Sequence, residues 1–157
     1  MKIHILLVGK TEKQYLISAI LEYLNRLKHY IAVEYKILPA LKKTKNLSEE
    51  QQKNKEGKQI LKNVKNDDIL ILLDEKGKEF SSVEFSNFIE KKMIGGTKNL
   101  VFVVGGPYGF SLDVYKKSNE KISLSRMTFS HQMVRLIFVE QLYRAMTILK
   151  GESYHHK

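Results

Sequence analysis

Apolar residues in this chain cluster in five short runs that predict β-strands. Most of the runs are rich in Val, Ile, Leu and Phe, and turn residues such as Gly, Pro, Asn and Asp separate them from their neighbours. Alternation of apolar and charged residues predicts a half-exposed second strand, whereas the unbroken apolar third and fourth runs are typical of buried parallel strands. The five predicted strands are Lys2–Val8, Ala32–Leu38, Ile69–Leu73, Leu100–Val104 and Lys121–Ser125.

Between the strands, apolar residues recur every three or four positions, which is the period of an α-helix. The first helix is predicted from Glu12 to Tyr30. The polar stretch 41–65 contains a second helix, which begins at a capping box formed by Ser48 and Gln51. Three further segments are predicted. The first begins at Ser81 and ends at Gly95 and Gly96, the second covers Ser111–Lys117, and the third is a helix that follows Ser130. The inner face of this last helix includes Val134, Ile137, Phe138, Leu142 and Ala145.

Strands that alternate with helices predict an α/β fold, with a mainly parallel sheet and helices on both faces. A chain of this length forms one domain, residues 1–157. Ligands bind such sheets beyond the carboxyl ends of the strands. Three predicted loops follow strands at that edge: Leu73–Lys78, Gly105–Gly109 and Leu124–Phe129. The first of these segments includes the predicted loop Asp74–Lys78. We therefore expect the three loops together to form a small-molecule site.

Composition and charge restrict the possible functions. The absence of cysteine excludes disulfides, a thiol nucleophile and cysteine-based metal sites. The longest apolar runs have about five residues and no signal-peptide pattern opens the chain, so we expect a cytoplasmic protein without membrane spans. The net charge is +10, and residues 1–66 carry 14 basic and 6 acidic side chains against 13 and 11 in the remainder. The basic first half predicts a surface that binds a polyanion such as a nucleic acid.

Two of the three loops have compositions that allow more than one interpretation. Gly105–Gly109 has neither the dinucleotide-binding spacing nor a Walker phosphate-loop pattern, so it is equally consistent with a tight turn and with a ligand loop. The loop Leu124–Phe129 mixes apolar and hydroxyl residues. It either encloses a flat heterocycle or fills the core with Leu124, Met127 and Phe129, and composition alone favours the core.

Three aromatic rings, Tyr154, His155 and His156, stand just before the last residue, Lys157, where small and charged residues are usual. One interpretation is a tail that folds over a site and supplies acid–base or stacking groups. Two adjacent histidines without a third ligand make a poor metal site, so no metal is expected. Glu140 and Arg144 stand four residues apart on the last helix, which predicts a surface ion pair.

Five motifs stand in order along the chain: Leu73-Asp74-x-x-Gly77, the segment from Phe102 to Gly109, the segment from Ile122 to His131, the segment from Leu142 to Ala145, and the Tyr154-His155 ending. Taken together, they resemble the RlmH family, bacterial large-subunit rRNA methyltransferases of the trefoil-knotted SPOUT class. The resemblance implies a C-terminal trefoil knot, S-adenosylmethionine as cofactor, and a homodimer. It also implies methylation of N3 of a pseudouridine in a 23S rRNA stem-loop on the assembled ribosome.

The resemblance implies particular site residues as well. The expected cofactor contacts are Leu73, Gly105, Leu124, Ser125, Arg126, Met127, Thr128 and Phe129. The family's tail, which reaches the substrate side of a shared site, corresponds to Tyr154, His155 and His156. We hypothesise that His155 or Tyr154 orients or deprotonates the base and that Arg144 stabilises developing negative charge, while His156 contacts the RNA.

Charge, rather than resemblance, predicts the RNA-binding lysines. They are Lys42, Lys43, Lys45, Lys53, Lys55 and Lys58, and we expect them to contact rRNA phosphates. Two other functions are considered. A non-enzymatic RNA-binding or ribosome-associated factor on the same fold would need the lysines but not the two later loops. A flavodoxin-like nucleotide or flavin protein would need a phosphate-binding loop after the first strand, for which Gly9–Thr11 is a weak candidate.

Overall fold

A computed structural model describes residues 1–156 as an α/β domain. Five strands alternate with five α-helices, as the hydrophobic pattern predicts. Along the chain these are β1 (Lys2–Val8), α1 (Gln14–Leu27), β2 (Ala32–Leu38), α2 (Glu49–Leu61), β3 (Ile69–Glu79), α3 (Ser82–Ile94), β4 (Asn99–Val104), α4 (Leu112–Lys117), β5 (Glu120–Ser123) and α5 (Met133–Leu149). No helix within these residues has the length and apolar character needed to cross a membrane.

The five strands form one sheet in the order β2-β1-β4-β3-β5, and every pairing is parallel. The predicted α/β class and parallel sheet are therefore confirmed. The flavodoxin-like order is 2-1-3-4-5, so β3 and β4 have exchanged places here. This exchange puts β3 between β4 and β5, and the carboxyl ends of the last three strands lie together at one side of the sheet, as they would in the flavodoxin-like order. The trefoil knot stays an expectation from the family resemblance.

Alternate side chains of each strand build two apolar layers, one on either face of the sheet. On β1, Ile3, Ile5 and Leu7 pack with α1, α3 and α5. Leu6 and Val8 of the same strand point the other way and pack with α2 and α4. Helices therefore cover both faces, as predicted, and α5 lies between α1 and α3.

The third strand differs from its prediction. It extends through Glu79, so the loop expected at Asp74–Lys78 is part of a strand with an irregularity. Leu73 and Lys78 both pair with Ile122, and the residues between them leave the ladder as a bulge. The sequence pattern misses the continuation because the residues after Leu73 are polar, and only their pairing with β5 identifies them as a strand.

Serine residues set several helix starts where they were predicted. Ser48 and Ser81 both form complete capping boxes, with Gln51 and Glu84 as the reciprocal partners. At the last helix, Ser130 Oγ accepts a hydrogen bond from the backbone N–H of residue 133 at 3.1 Å, so the helix begins three residues after it. Capping residues thus predicted the starts of these helices well.

Two other elements, α1 and β5, end earlier than the pattern predicts. Helix α1 covers Gln14–Leu27 rather than 12–30. Strand β5 ends at Ser123 rather than Ser125. The chain turns there because Ser123 Oγ donates to the backbone oxygen of Ser125, and Ser125 Oγ accepts from the N–H of Met127, each at 2.9 Å. Local side-chain hydrogen bonds, which periodicity does not detect, end this strand early.

Candidate active site

A cleft of about 810 Å³ opens at the carboxyl ends of β3, β4 and β5. All three loops expected to form a ligand site line it, one after each strand. The parallel sheet order explains this arrangement, because the ends of neighbouring parallel strands meet at the same edge. The beginning of α2 closes one side, through Glu49 and Lys53.

Seven of the eight expected cofactor positions line this cleft. They are Leu73, Gly105, Leu124, Ser125, Met127, Thr128 and Phe129. Arg126 is the exception, because its Nε donates to Glu79 Oε2 at 3.0 Å and its side chain is 90% exposed outside the cleft. The structure thus brings the predicted loops together but turns the one charged side chain of the third loop away from their shared space.

The glycine loop after β4 is both a tight turn and a wall of the cleft, so its two interpretations are compatible. The N–H of Gly109 donates to Gly106 O at 3.2 Å, and Gly109 has a φ of +79°, a left-handed value that favours glycine. A Cβ at Gly105 would lie 3.0 Å from the ring of Phe110. The absence of side chains therefore lets the backbone itself form the cleft wall.

The bulge in β3 supplies a carboxylate to the cleft. Asp74 Oδ1 accepts the N–H of Lys76 at 2.8 Å, and Asp74 Oδ2 accepts the hydroxyl of Tyr115. Burial, and then the hydrogen bond to Asp74, raise the pKa of Tyr115 well above its usual value. At Gly77 a Cβ would lie 2.5 Å from the carbonyl carbon of Ile122, which explains why the Leu-Asp-x-x-Gly motif needs glycine there.

The loop 124–131 lines the cleft more than it fills the core. Met127 is 78% exposed, and Leu124 and Phe129 are half-buried beside the cleft. Composition had favoured the interpretation in which these three residues fill the core. That interpretation is wrong for Met127, because the loop leaves β5 at its carboxyl end and runs along the rim of the sheet rather than across a face.

Arg135 joins this loop to the loop after β1, and sequence reasoning missed it. Its side chain is 1% exposed, and its guanidinium donates to the backbone oxygens of Val8, Gly9 and His131 at 2.8, 2.9 and 3.1 Å and to Thr11 Oγ1 at 3.0 Å. Burial lowers the pKa of Arg135 from its usual value. Gly9–Thr11 therefore serves this network and does not line the cleft, which removes the basis for a phosphate loop there.

The aromatic tail lies away from the cleft of its own chain. Tyr154 OH donates to Glu140 Oε1 at 3.0 Å and lies 3.2 Å from the hydroxyl of Tyr23 on α1. Arg144 Nη2 donates to Glu140 Oε1 at 2.5 Å, and its Nη1 lies 3.5 Å from Tyr154 O. The predicted surface ion pair of Glu140 and Arg144 is thus half-buried and belongs to a network that holds the tail.

The separation follows from the direction of α5. Val134, at the start of α5, lines the cleft, whereas Arg144 lies ten residues, about 15 Å, further along the helix axis. Arg144, Tyr154 and His155 do not line the cleft. Within residues 1–156, no group of three or more His, Asp or Glu side chains could hold a metal ion.

The predicted RNA-binding lysines form a basic segment, residues 42–58, beside the cleft. Lys42, Lys43 and Lys45 lie in the connection between β2 and α2, and Lys53, Lys55 and Lys58 lie on α2. Five of the six are exposed, and Lys53 is half-buried in the cleft wall. Among the described residues, none of the six forms an ion pair with a carboxylate, so their charges face solvent.

Comparison with known proteins identifies the family. A family model described as "Predicted SPOUT methyltransferase" matches residues 1–155. The chain belongs to the RlmH family of SPOUT methyltransferases. It is 62% identical over 157 residues to the "Ribosomal RNA large subunit methyltransferase H" of Parabacteroides distasonis, and 60% identical to the protein of the same name from Christiangramia forsetii, with full coverage of both chains in each case.

A solved structure supports the fold of this SPOUT family member. A probable methylase family protein from Haemophilus influenzae superimposes with a TM-score of 0.54 at 14% sequence identity. The match covers 95% of this chain and 66% of the other. The expected α/β class is therefore confirmed, and the expected family is confirmed by the family model and by the relatives at 60% and 62% identity.

Proposed function

We propose that this chain is an S-adenosylmethionine-dependent methyltransferase that methylates N3 of a pseudouridine in a 23S rRNA stem-loop on the assembled ribosome. Family membership and the names of the relatives support an rRNA substrate. The observation that carries the proposal is the cleft lined by the bulge of β3 and by the loops after β4 and β5. An rRNA substrate implies that the enzyme works in the cytoplasm.

The residues of the cleft fit S-adenosylmethionine. Its volume lies within the range of about 300–1,000 Å³ that small-molecule sites occupy. Leu73, Leu124 and Phe129 offer apolar walls for a flat purine, and the glycine turn offers backbone groups for its polar edge. The Asp74 carboxylate adds negative charge that attracts a cationic ligand. When bound, this cofactor supplies a methyl group already activated on a positively charged sulfur.

The protein's task is then to position the nucleobase, exclude water and accept the N3 proton. Positioning in a closed site lowers a barrier by several kcal/mol. Of the two proposed proton acceptors, Tyr154 is the less available, because burial and hydrogen bonds to Tyr23 and Glu140 raise its pKa well above its usual value and so keep its hydroxyl protonated. We therefore assign the proton to His155, with Tyr154 holding the tail in place and Arg144 supplying positive charge.

A complete site of this kind needs a second chain. Tyr154, His155 and Arg144 do not line the cleft of their own chain. We propose a homodimer in which the tail of one protomer, including His156, meets the cleft of the other. Symmetric dimers pair such patches reciprocally, so each dimer would contain two composite sites.

Two purified variants test the shared site. His155→Ala removes the proton acceptor, and we expect the single-turnover rate to fall by roughly 100-fold or more. Gly105→Leu blocks the cleft, because even a Cβ at that position would approach Phe110 to 3.0 Å. Each variant alone should be inactive. Random mixing should restore about a quarter of the wild-type rate, because half the dimers then hold one complete site.

The substrate requires a separate measurement. Ribosomes from a deletion strain are treated with the protein and labelled S-adenosylmethionine, and mass spectrometry of the 23S rRNA locates the added methyl group.

His29→Ala is the matched control, because this exposed histidine follows α1 outside the cleft and the tail network. If the two inactive variants do not complement each other, the shared site is wrong. If the wild type binds RNA but not the cofactor, the non-enzymatic RNA-binding factor is supported instead.

A further inference from the structure

A buried carboxyl group lies against the glycine turn that lines the cleft. Glu56, on α2, is 4% exposed. Gln52 Nε2 donates to its Oε1 at 3.0 Å, whereas its Oε2 is buried and has no hydrogen-bond partner among the described residues. Neither the family motifs nor the cleft lining includes this residue. An acidic side chain that is almost wholly buried without a cationic partner is uncommon and requires an explanation.

The carboxyl group packs directly against the backbone of Gly106. A Cβ at this glycine would lie 2.6 Å from Glu56 Oε2 and 3.1 Å from Oε1, so the carboxyl occupies the space that any side chain at position 106 would need. Glu56 therefore contacts the turn without itself lining the cleft. The unpartnered oxygen, Oε2, faces the backbone of Gly106, which forms part of the cleft wall.

The next residue fixes α2 in the same place. A Cβ at Gly57 would lie 2.3 Å from Ser111 Oγ and 3.2 Å from Val114 Cγ2. Ser111 caps α4, the helix that follows the glycine turn. Helix α2 thus meets the turn through Glu56 and the following helix through Gly57, and its position relative to the cleft wall is set at both contacts.

Packing alone does not explain a carboxyl at this position. A buried polar atom without a partner costs about 1–3 kcal/mol, and an apolar side chain of similar size would avoid that cost. Burial also raises the pKa of Glu56, which favours a neutral group that both donates and accepts a hydrogen bond. Groups whose pKa is shifted by burial cluster at functional sites.

We propose that Glu56 is a positioning residue for the Gly105–Gly109 turn, because its contact with Gly106 holds the turn's backbone where it meets the cofactor. The inference rests on the proposed function, because it takes the cleft as the cofactor site. Glu56 acts through the turn and does not touch the ligand. Its helix also carries Lys53, Lys55 and Lys58, so the same element joins the basic segment to the cleft wall.

The test compares cofactor affinity with stability in matched variants. Isothermal titration calorimetry measures binding of S-adenosylmethionine and S-adenosylhomocysteine, and urea unfolding measures stability. We expect Glu56→Ala to raise both Kd values at least tenfold, while the single-turnover rate at saturating cofactor stays within about threefold of wild type. Glu56→Gln should restore the affinity, because an amide keeps the shape and the polar atoms. Glu50→Ala, at an exposed position of the same helix, is the control.

A double variant makes the test independent of any general loss of stability. Gly106→Ala should weaken binding because its methyl group meets the Glu56 carboxyl. In Gly106→Ala/Glu56→Ala the methyl enters the vacated space, so the Kd should return towards the wild-type value rather than rise further. Additive effects, or a Glu56→Ala protein with wild-type Kd, would overturn this inference alone. A wild-type protein that binds neither ligand would overturn the proposed function and this inference together.

Discussion

Replacement of Arg135 with methionine tests whether a buried guanidinium holds the loops around the cleft. Methionine keeps an apolar stem of similar reach but removes every donor. Three backbone oxygens, those of Val8, Gly9 and His131, and the hydroxyl of Thr11 then lose their partner. The loop after β1 and the loop before α5 would lose this shared donor, whereas the hydrogen bonds that join Gln132 to Lys10 O and to the N–H of Glu12 would remain.

The magnitude follows from two opposing effects. Each buried acceptor that loses its partner costs about 1–3 kcal/mol, although carbonyl oxygens regain part of this through water. Removing the guanidinium also relieves the cost of burying a charge, which the lowered pKa of Arg135 reflects. We expect a net loss of about 2–4 kcal/mol in the free energy of unfolding. For a chain of this size, that lowers Tm by about 5–15 °C.

Urea unfolding and thermal melts provide the measurement, with Arg126→Met as the stability control. Arg126 is 90% exposed and, within residues 1–156, pairs with Glu79 alone, so its loss should cost less than about 1 kcal/mol. Arg135→Lys should give an intermediate loss, because an ammonium keeps the charge but not the planar set of donors. If Arg135→Met unfolds at the same urea concentration as Arg126→Met, the network does not stabilise the fold and this reasoning fails.

Three further predictions concern separate parts of the chain. Gly77→Ala should destabilise the fold by about 2 kcal/mol or more in urea unfolding, because the new Cβ meets the backbone of Ile122. Tyr154→Phe should cost about 0.5–1.5 kcal/mol in the same assay, because the ring stays packed while the hydrogen bond to Glu140 is removed. The affinity for rRNA should fall steeply with salt, and replacing Lys55 and Lys58 with alanine should flatten that slope by about 0.7–0.9 for each phosphate that the variant no longer neutralises.

The fold was largely predictable because its signals are local. Strand and helix periods differ, the caps at Ser48 and Ser81 are short-range motifs, and alternation of the two periods indicates a parallel sheet. The continuation of β3 through Glu79 was not predictable, because its polar residues have no strand pattern. It forms a strand only because Lys78 and Glu79 pair with residues more than forty positions away in β5.

The cleft could be predicted from the geometry of a parallel sheet. The buried charges near it, Arg135 and Glu56, could not be predicted from their residue types. Loops that follow parallel strands meet at one edge whatever their composition, so Leu73, Gly105 and Leu124 could be grouped without a motif. Arg135 and Glu56 resemble ordinary surface charges in a sequence. A usable signal existed for Arg135, because it precedes Phe138, Val139 and Leu142 at the spacing of one buried helix face.

The position of the aromatic tail could not be predicted from local sequence patterns. Its aromatic residues mark it as unusual, but its position depends on contacts between Tyr154 and Tyr23, which are 131 residues apart in the chain. Helix α5 has 17 residues and is therefore about 25 Å long, and it separates the cleft at its start from the tail beyond its end. A single chain cannot shorten that helix without breaking the α1 and α3 packing that it makes along its length. The proposed role of the tail therefore requires the cleft of a second chain, which is why complementation between two inactive variants tests the geometry as well as the residues.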